Sequence, residues 1–162
     1  MGNGQAKGIL DFIHRCLFWV LIVMASVMLI IGFMQVFWRY VLQASLSWSE
    51  ELLRYMHVWV IFLGVSLGIR KRIHVAIEAF ITFLEGRVRY TLVMFVHLLT
   101  VVFFVLVVVI GIRFTLHNLG QISPAIQLPM SLVYLAIPLG GCFALIFAIE
   151  EWVKAAKAGG NP

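Results

Sequence analysis

Apolar residues run along this chain in four long blocks, separated by short clusters of charged and polar positions. The first is an uncharged run from Cys16 to Trp38. The second extends from about Leu52 to Ile69, the third from Tyr90 to Ile112, and the fourth from Pro129 to about Ile149. A helix rises 1.5 Å per residue, so runs of this kind reach across a hydrocarbon layer of about 30 Å. The pattern predicts an all-α integral membrane protein: a single membrane domain over 1–162, with transmembrane helices at about 16–38, 50–70, 90–112 and 129–149.

The polar punctuation sharpens these boundaries. Trp19 lies near one end of the first block, and Phe37, Trp38 and Tyr40 lie at the other, as aromatic belts at two membrane interfaces require. Ser47, Trp48, Ser49 and Glu50 read as an S-x-x-E capping box, so the second helix is expected to begin at Ser47 and run to Arg70. Pro129 suits the first turn of the fourth helix, and Pro138 with Gly140 and Gly141 is expected to kink it. Between the second and third spans, the apolar stretch 73–84 is too short to cross and too apolar for water. It is expected to form an interfacial amphipathic helix. The segment 113–128 mixes His117, Asn118, Gly120, Gln121, Ser123 and Pro124 with Ala125 and Ile126, and is expected to dip back against the membrane surface.

Composition supports this reading. Apolar residues make up 63% and charged residues 12% of the 162, where soluble domains carry about 45–50% and about 25%. No stretch between spans is long enough for a separate globular domain. The net charge of +5 could suggest nucleic acid, but such a partner needs a solvated basic face interleaved with aromatics, and here the basic residues flank apolar runs. Nine of the twelve Lys and Arg fall on one side of a four-span plan (Lys7, Arg15, Arg70, Lys71, Arg72, Arg87, Arg89, Lys154, Lys157). The other three (Arg39, Arg54, Arg113) fall on the opposite side. By the positive-inside rule both termini are expected in the cytoplasm. The first apolar run exceeds the roughly 7–15 residues of a cleaved signal, so it is expected to remain as an anchor. Cys16 and Cys142 carry no metal or dithiol motif and read as packing residues. No internal repeat marks an inverted-repeat transporter.

Candidate chemistry concentrates in the second span. Glu50 and Glu51 stand four and three residues before Arg54, so both acids can reach its guanidinium along one helix face. That cluster reads either as an ion pair fixing helix depth or as a polar handle for another subunit. Glu50, Arg54, His57, Ile61, Gly64, Gly68 and Lys71 follow steps of three and four. They form one stripe whose Gly64 and Gly68 make a GxxxG pair, so the stripe is expected to face protein, either this chain or another. His57 and His97 raise the alternative of a haem- or quinone-linked redox anchor, but their positions put them about 12 Å apart in depth, too far for one iron. No Asp, Glu, Lys or Arg falls at mid-depth. Ser26, Ser66 and Thr100 are the main polar remnants, of a kind that bonds back to its own helix. Neither catalysis nor solute coupling finds its groups within this chain, so no enzyme activity, cofactor or metal is expected.

The ordered segment Trp48, Glu50, Glu51, Arg54, Trp59, Gly64, Gly68, Arg70, Arg72 and His74 resembles the small membrane subunit of tripartite ATP-independent periplasmic (TRAP) transporters. In place of the Asp that often follows the His there, this chain has a slightly displaced Glu78. The likeness continues through Gly120, Gln121, Ser123, Pro124 and Ala125, then Leu128, Pro129, Tyr134 and Pro138. The resemblance implies a non-catalytic subunit of the bacterial inner membrane. Its implied partners are a large transmembrane subunit that carries solute and sodium, a periplasmic solute-binding protein and membrane lipid. It also implies uptake of an organic acid, such as a C4-dicarboxylate or sialic acid. Trp48, Glu50, Glu51, Arg54, Trp59, Gly64, Gly68, Arg70 and His74 become the candidate partner-interface residues.

Overall fold

The computed structural model describes residues 2–44, 46–70 and 86–158. The interfacial helix expected at 73–84, and His74 within it, lie outside the described residues. Among the described residues five helices follow in order: α1 (Gly2–Val41), α2 (Ser47–Arg70), α3 (Gly86–His117), α4 (Met130–Tyr134) and α5 (Ala136–Ala158). Four stretches of the described residues are long and apolar enough to cross a membrane: Gly8–Val41, Ser47–Arg70, Val88–His117 and Met130–Lys157. These correspond to the four expected spans.

The helices run past the expected span ends. With 40 residues α1 is about 60 Å long, and with 32 residues α3 is about 48 Å, against a hydrocarbon layer of about 30 Å. Arg15, Arg39 and Arg113 end the uncharged runs but do not end the helices, because arginine is a good helix former. The second helix starts at Ser47, as expected, but Ser47 and Glu50 do not exchange the bonds of a capping box; the Ser49 N–H and hydroxyl both donate to the Leu46 carbonyl instead (3.1 and 2.8 Å).

The fourth span is interrupted. Helix α4 ends at Tyr134, Leu135 forms a turn, and α5 begins at Ala136. Pro138 explains the position of the break: it has no N–H for the carbonyl four residues earlier, at Tyr134, and its ring crowds that carbonyl. Gly140 and Gly141 have a different role from the expected kink. A Cβ on Gly140 would sit 2.6–2.7 Å from Cβ, C and O of Phe62 in α2. A Cβ on Gly141 would sit 3.0 Å from Val108 in α3, and one on Gly111 would sit 2.9 Å from Ile137. These glycines let α5 approach α2 on one side and α3 on the other.

Among the described residues the long helices meet in a row. α1 packs on α2, α2 on α5, and α5 on α3, while the backbones of α2 and α3 do not touch. Burial follows that order: 44% of the fourth span's most apolar window is buried and 28% of the second's, but only 6% for the first and third. The core gathers Leu17, Leu63, Leu67, Ile69, Phe104, Ala144, Phe147 and Ala148. In lipid such a core gains little from the hydrophobic effect, so close van der Waals packing must hold the row together. The edge helices α1 and α3 present apolar flanks, including Leu29, Phe33, Phe103 and Ile110.

The two helix glycines of the second and fourth spans therefore differ in consequence. Gly140→Ala is expected to lower stability in detergent by about 1–3 kcal/mol, because its methyl meets Phe62 backbone that cannot rotate away. Gly64→Ala, with nothing within 4 Å of its Cβ position, is expected to stay within about 0.5 kcal/mol of the parent. Thermal or denaturant unfolding of the purified chain compares the two; equal losses would refute the assignment of Gly140 as the contact glycine.

Candidate functional site

Polar groups in the second helix divide into two that the chain satisfies internally and a stripe that it leaves outside. At the end where α2 starts, Glu51 is buried. One carboxylate oxygen accepts the Tyr55 hydroxyl (2.5 Å), four residues along the same helix. The other accepts the backbone N–H groups of Ala125 and Ile126, both at 2.9 Å. Segment 118–129 is shaped to present those amides. The Ser123 N–H donates to the Leu128 carbonyl (2.9 Å), the Leu128 N–H to the Ser123 hydroxyl (3.1 Å), and the Met130 N–H to the Gln121 carbonyl (2.8 Å). Gln127 takes a left-handed conformation (φ 57°) at the tip. The loop expected against the membrane surface is thus fastened onto the first turns of α2, and Ser123 is buried beneath it.

At the other end of α2, Arg70 ties three helices together. Its Nε donates to Glu150 of α5 (3.1 Å), one Nη to the Leu10 carbonyl of α1 (3.0 Å), and the other Nη to Asp11 of α1. The guanidinium also lies over the Phe147 ring, 5.4 Å from its centroid, a favourable position for a cation. Lys154 bonds both Glu150 and Glu151 at 2.7 Å. Arg70 was expected at a partner interface, yet its donors are taken up within this chain.

The remaining site residues split along the same lines. Trp59 packs against the core cluster. Gly68 is half-buried, Trp48, Glu50 and Arg54 are exposed, and Gly64 faces open space. The expected ion pair of Arg54 with Glu50 and Glu51 does not form: Glu51 turns away to the loop, and Arg54 and Glu50 make no ion pair with each other. Instead Ser47, Glu50, Glu51, Arg54, Pro124 and Ala125 line an open cleft of ≈ 440 Å³.

Followed along α2, the exposed positions are Ser47, Trp48, Glu50, Arg54, His57, Ile61 and Val65. They include Glu50, Arg54, His57 and Ile61 of the stripe read from the sequence, whereas Gly64 and Gly68 are half-buried and Lys71 lies outside the described residues. Elsewhere the spans satisfy their polar groups locally. Ser66, Thr100 and Thr115 donate to carbonyls three or four residues back, and His97 Nδ1 lies 2.9 Å from the Val93 carbonyl oxygen. Among the described residues no side-chain polar atom is buried without a partner, and no group of three or more His, Cys, Asp or Glu is placed to hold a metal.

Sequence reasoning did not connect Tyr55 to Glu51, although the i, i+4 spacing was available. It also did not connect Asp11 and Glu150 to Arg70. The four-span plan puts those three residues on one side, which makes the acids candidates, but only packing brings them to one guanidinium.

Comparison with known proteins places this geometry in context. A family model described as the DctQ component of tripartite ATP-independent periplasmic transporters matches residues 28–158. The C4-dicarboxylate TRAP transporter small permease protein DctQ of Rhodobacter capsulatus is 34% identical over 107 residues, covering 63% of this chain and 47% of that protein. A putative TRAP transporter small permease protein of Haemophilus influenzae is 27% identical over 149 residues, covering 91% and 92%. The sialic acid TRAP transporter permease protein SiaT, also of Haemophilus influenzae, is 36% identical over 95 residues, which cover 55% of this chain but 15% of that protein. The chain thus spans about half the length of the first relative and nearly all of the second.

Two substitutions test the internal anchors. Arg70→Ala should cost about 1–3 kcal/mol in unfolding of the purified chain, the range for losing hydrogen bonds to charged groups that are partly buried, with Lys154 remaining on Glu150. Arg15→Ala, at an exposed position, should change it by about 0.5 kcal/mol or less. Glu51→Ala should raise hydrogen exchange at the Ala125 and Ile126 amides by about tenfold or more, with α3 and α5 amides unchanged. Unchanged protection at both amides would show that Glu51 does not hold the loop.

Proposed function

The chain belongs to the DctQ-component family of TRAP transporters, and from that premise we propose that it is the scaffolding subunit of a three-part uptake system. In this reading it sits in the bacterial inner membrane with both termini in the cytoplasm. It holds a large transmembrane permease in place while that partner carries the solute with sodium. A periplasmic binding protein delivers the solute. The solute is an organic acid of the C4-dicarboxylate or sialic acid type, the classes named for two relatives. The family is one of transporter subunits rather than enzymes, and the chain's part in transport is structural.

The observation that carries this reading is the uncovered stripe of α2. Glu50, Arg54 and His57 stand outward at successive turns of a helix otherwise apolar enough to span a membrane. Ionisable side chains within transmembrane segments are costly against lipid and face protein or a water-filled cavity instead. Among the described residues nothing covers the stripe, and a partner subunit would supply that cover. The match within SiaT supports the same arrangement, because there a related segment forms a small share of a much larger permease protein.

Co-purification of a tagged chain from its native membrane is expected to recover a much larger membrane protein in stable ratio. Arg54→Ala should reduce that recovery by about tenfold or more, whereas Lys157→Ala, exposed at the far end of α5, should leave it within about twofold. A tagged chain recovered alone and monodisperse, or equal recovery with the two variants, would contradict the scaffolding role.

A further inference from the structure

The outward stripe of α2 also carries information about what covers it. Its charged part, Glu50 and Arg54, is exposed and, among the described residues, left without an ion pair. Of the two acids within helical reach of Arg54, Glu51 gives one oxygen to the Tyr55 hydroxyl and the other to the Ala125 and Ile126 amides. Glu50, one turn nearer the helix start, makes no ion pair with Arg54. Arg54 lies about 10 Å along the helix from Ser47 and His57 about 15 Å, while the helix's 24 residues span about 36 Å. The guanidinium and the imidazole therefore stand about two and three turns into the helix, on an exposed face where, among the described residues, neither finds a hydrogen bond or an ion pair. Two turns farther, Gly64 leaves a notch with nothing within 4 Å, flanked by exposed Ile61 and Val65. The stripe thus offers cation, imidazole and then a small-residue notch at fixed axial spacing.

We infer that the occupant of this stripe is a single transmembrane helix of the large permease that carries a carboxylate level with Arg54 and a bulky apolar side chain seated at Gly64. The inference rests on the scaffolding reading above and adds the chemistry of the contact. A carboxylate is the acceptor that matches guanidinium geometry with two parallel bonds, and desolvation in the seam makes its loss costly. The separation of Arg54 from Gly64, ten residues or about 15 Å of helix, sets the spacing between the two contacting residues on the partner. Close approach at a glycine is how helices pack in lipid, where no hydrophobic force draws them together.

Photo-crosslinking in the intact complex tests this directly. A benzophenone amino acid at Ile61 should form an adduct with the large permease. The crosslinked peptide should lie in one helix that has an Asp or Glu about two turns from the adduct, toward the Arg54 end. The same probe at Phe103 on α3 serves as a second position, expected to give no adduct with that peptide. In parallel, Arg54→Glu should lower recovery of the complex by about tenfold or more, Arg54→Lys should retain most of it, and Asp or Glu→Lys in the crosslinked helix should restore the Arg54→Glu complex. If the large permease co-purifies but the Ile61 probe labels only lipid, only a second copy of this chain, or a permease segment without an acid, the inference is overturned while the scaffolding reading stands. If no large permease co-purifies, the scaffolding reading fails and the inference with it. A Gly64→Leu variant that folds normally should also lose the complex by about tenfold; full recovery would remove the notch from the interface.

Discussion

Hydrocarbon offers no water to a polar group, and the arrangement of this protein follows from where each ionisable side chain finds its partner. The other spans keep Asp, Glu, Lys and Arg near their ends, and Thr100 and Thr115 bond to carbonyls of the preceding turn. The second helix handles the problem differently. Glu51 and Arg70 are drawn inward at its two ends and saturated, the first by a loop that supplies backbone amides and the second by acids on two other helices. Between them Arg54 and His57 remain outward. The same helix is therefore both the best-anchored element at its ends and the least complete along its exposed face.

The anchors make sense of a row that would otherwise lack cohesion. Helices in a line share fewer contacts than helices in a bundle, and apolar side chains gain little by leaving lipid for one another. Here α5 takes the central place because its glycines permit backbone-close contact with α2 and, together with Gly111, with α3. Arg70 then ties α1 to that pair, beside the contact of the His14 ring of α1 with Phe147 of α5. Pro138 breaks the fourth span at Tyr134 and Leu135, so the short α4 can receive the chain from the Glu51-held loop while α5 keeps its register against both neighbours. One proline and three small residues thus decide how the most buried helix enters and lies in the row.

Helices that meet mainly one after another leave much of their surface free of each other, and a subunit of a larger membrane assembly can use that area. The uncovered polar stripe gives that area a direction. Edge residues such as Leu29, Phe33 and Ile110 are as compatible with lipid as with protein, whereas a guanidinium and an imidazole within a membrane-spanning helix are not. That asymmetry, rather than the amount of exposed apolar surface, distinguishes a contact face from a lipid face here.

Four spans, the start of the second helix at Ser47 and the outward run from Glu50 to Ile61 were determined by the sequence alone, because apolar run length and a three-and-four spacing are local properties of a helix. The likeness to the TRAP small subunit was legible for the same reason, in an ordered set of residues along the chain. The direction each side chain faces was not. Glu51 and Arg54 are three residues apart and seemed to belong together, but helices separate neighbours by angle as well as by rise, and the loop amides outcompete the nearby guanidinium for the buried carboxylate. Arg70 looked like a partner residue until α1 and α5 brought Asp11, Glu150 and Phe147 to it. Only the tertiary structure could decide which polar groups are spent within the chain and which are left for another, because that depends on which helices become neighbours.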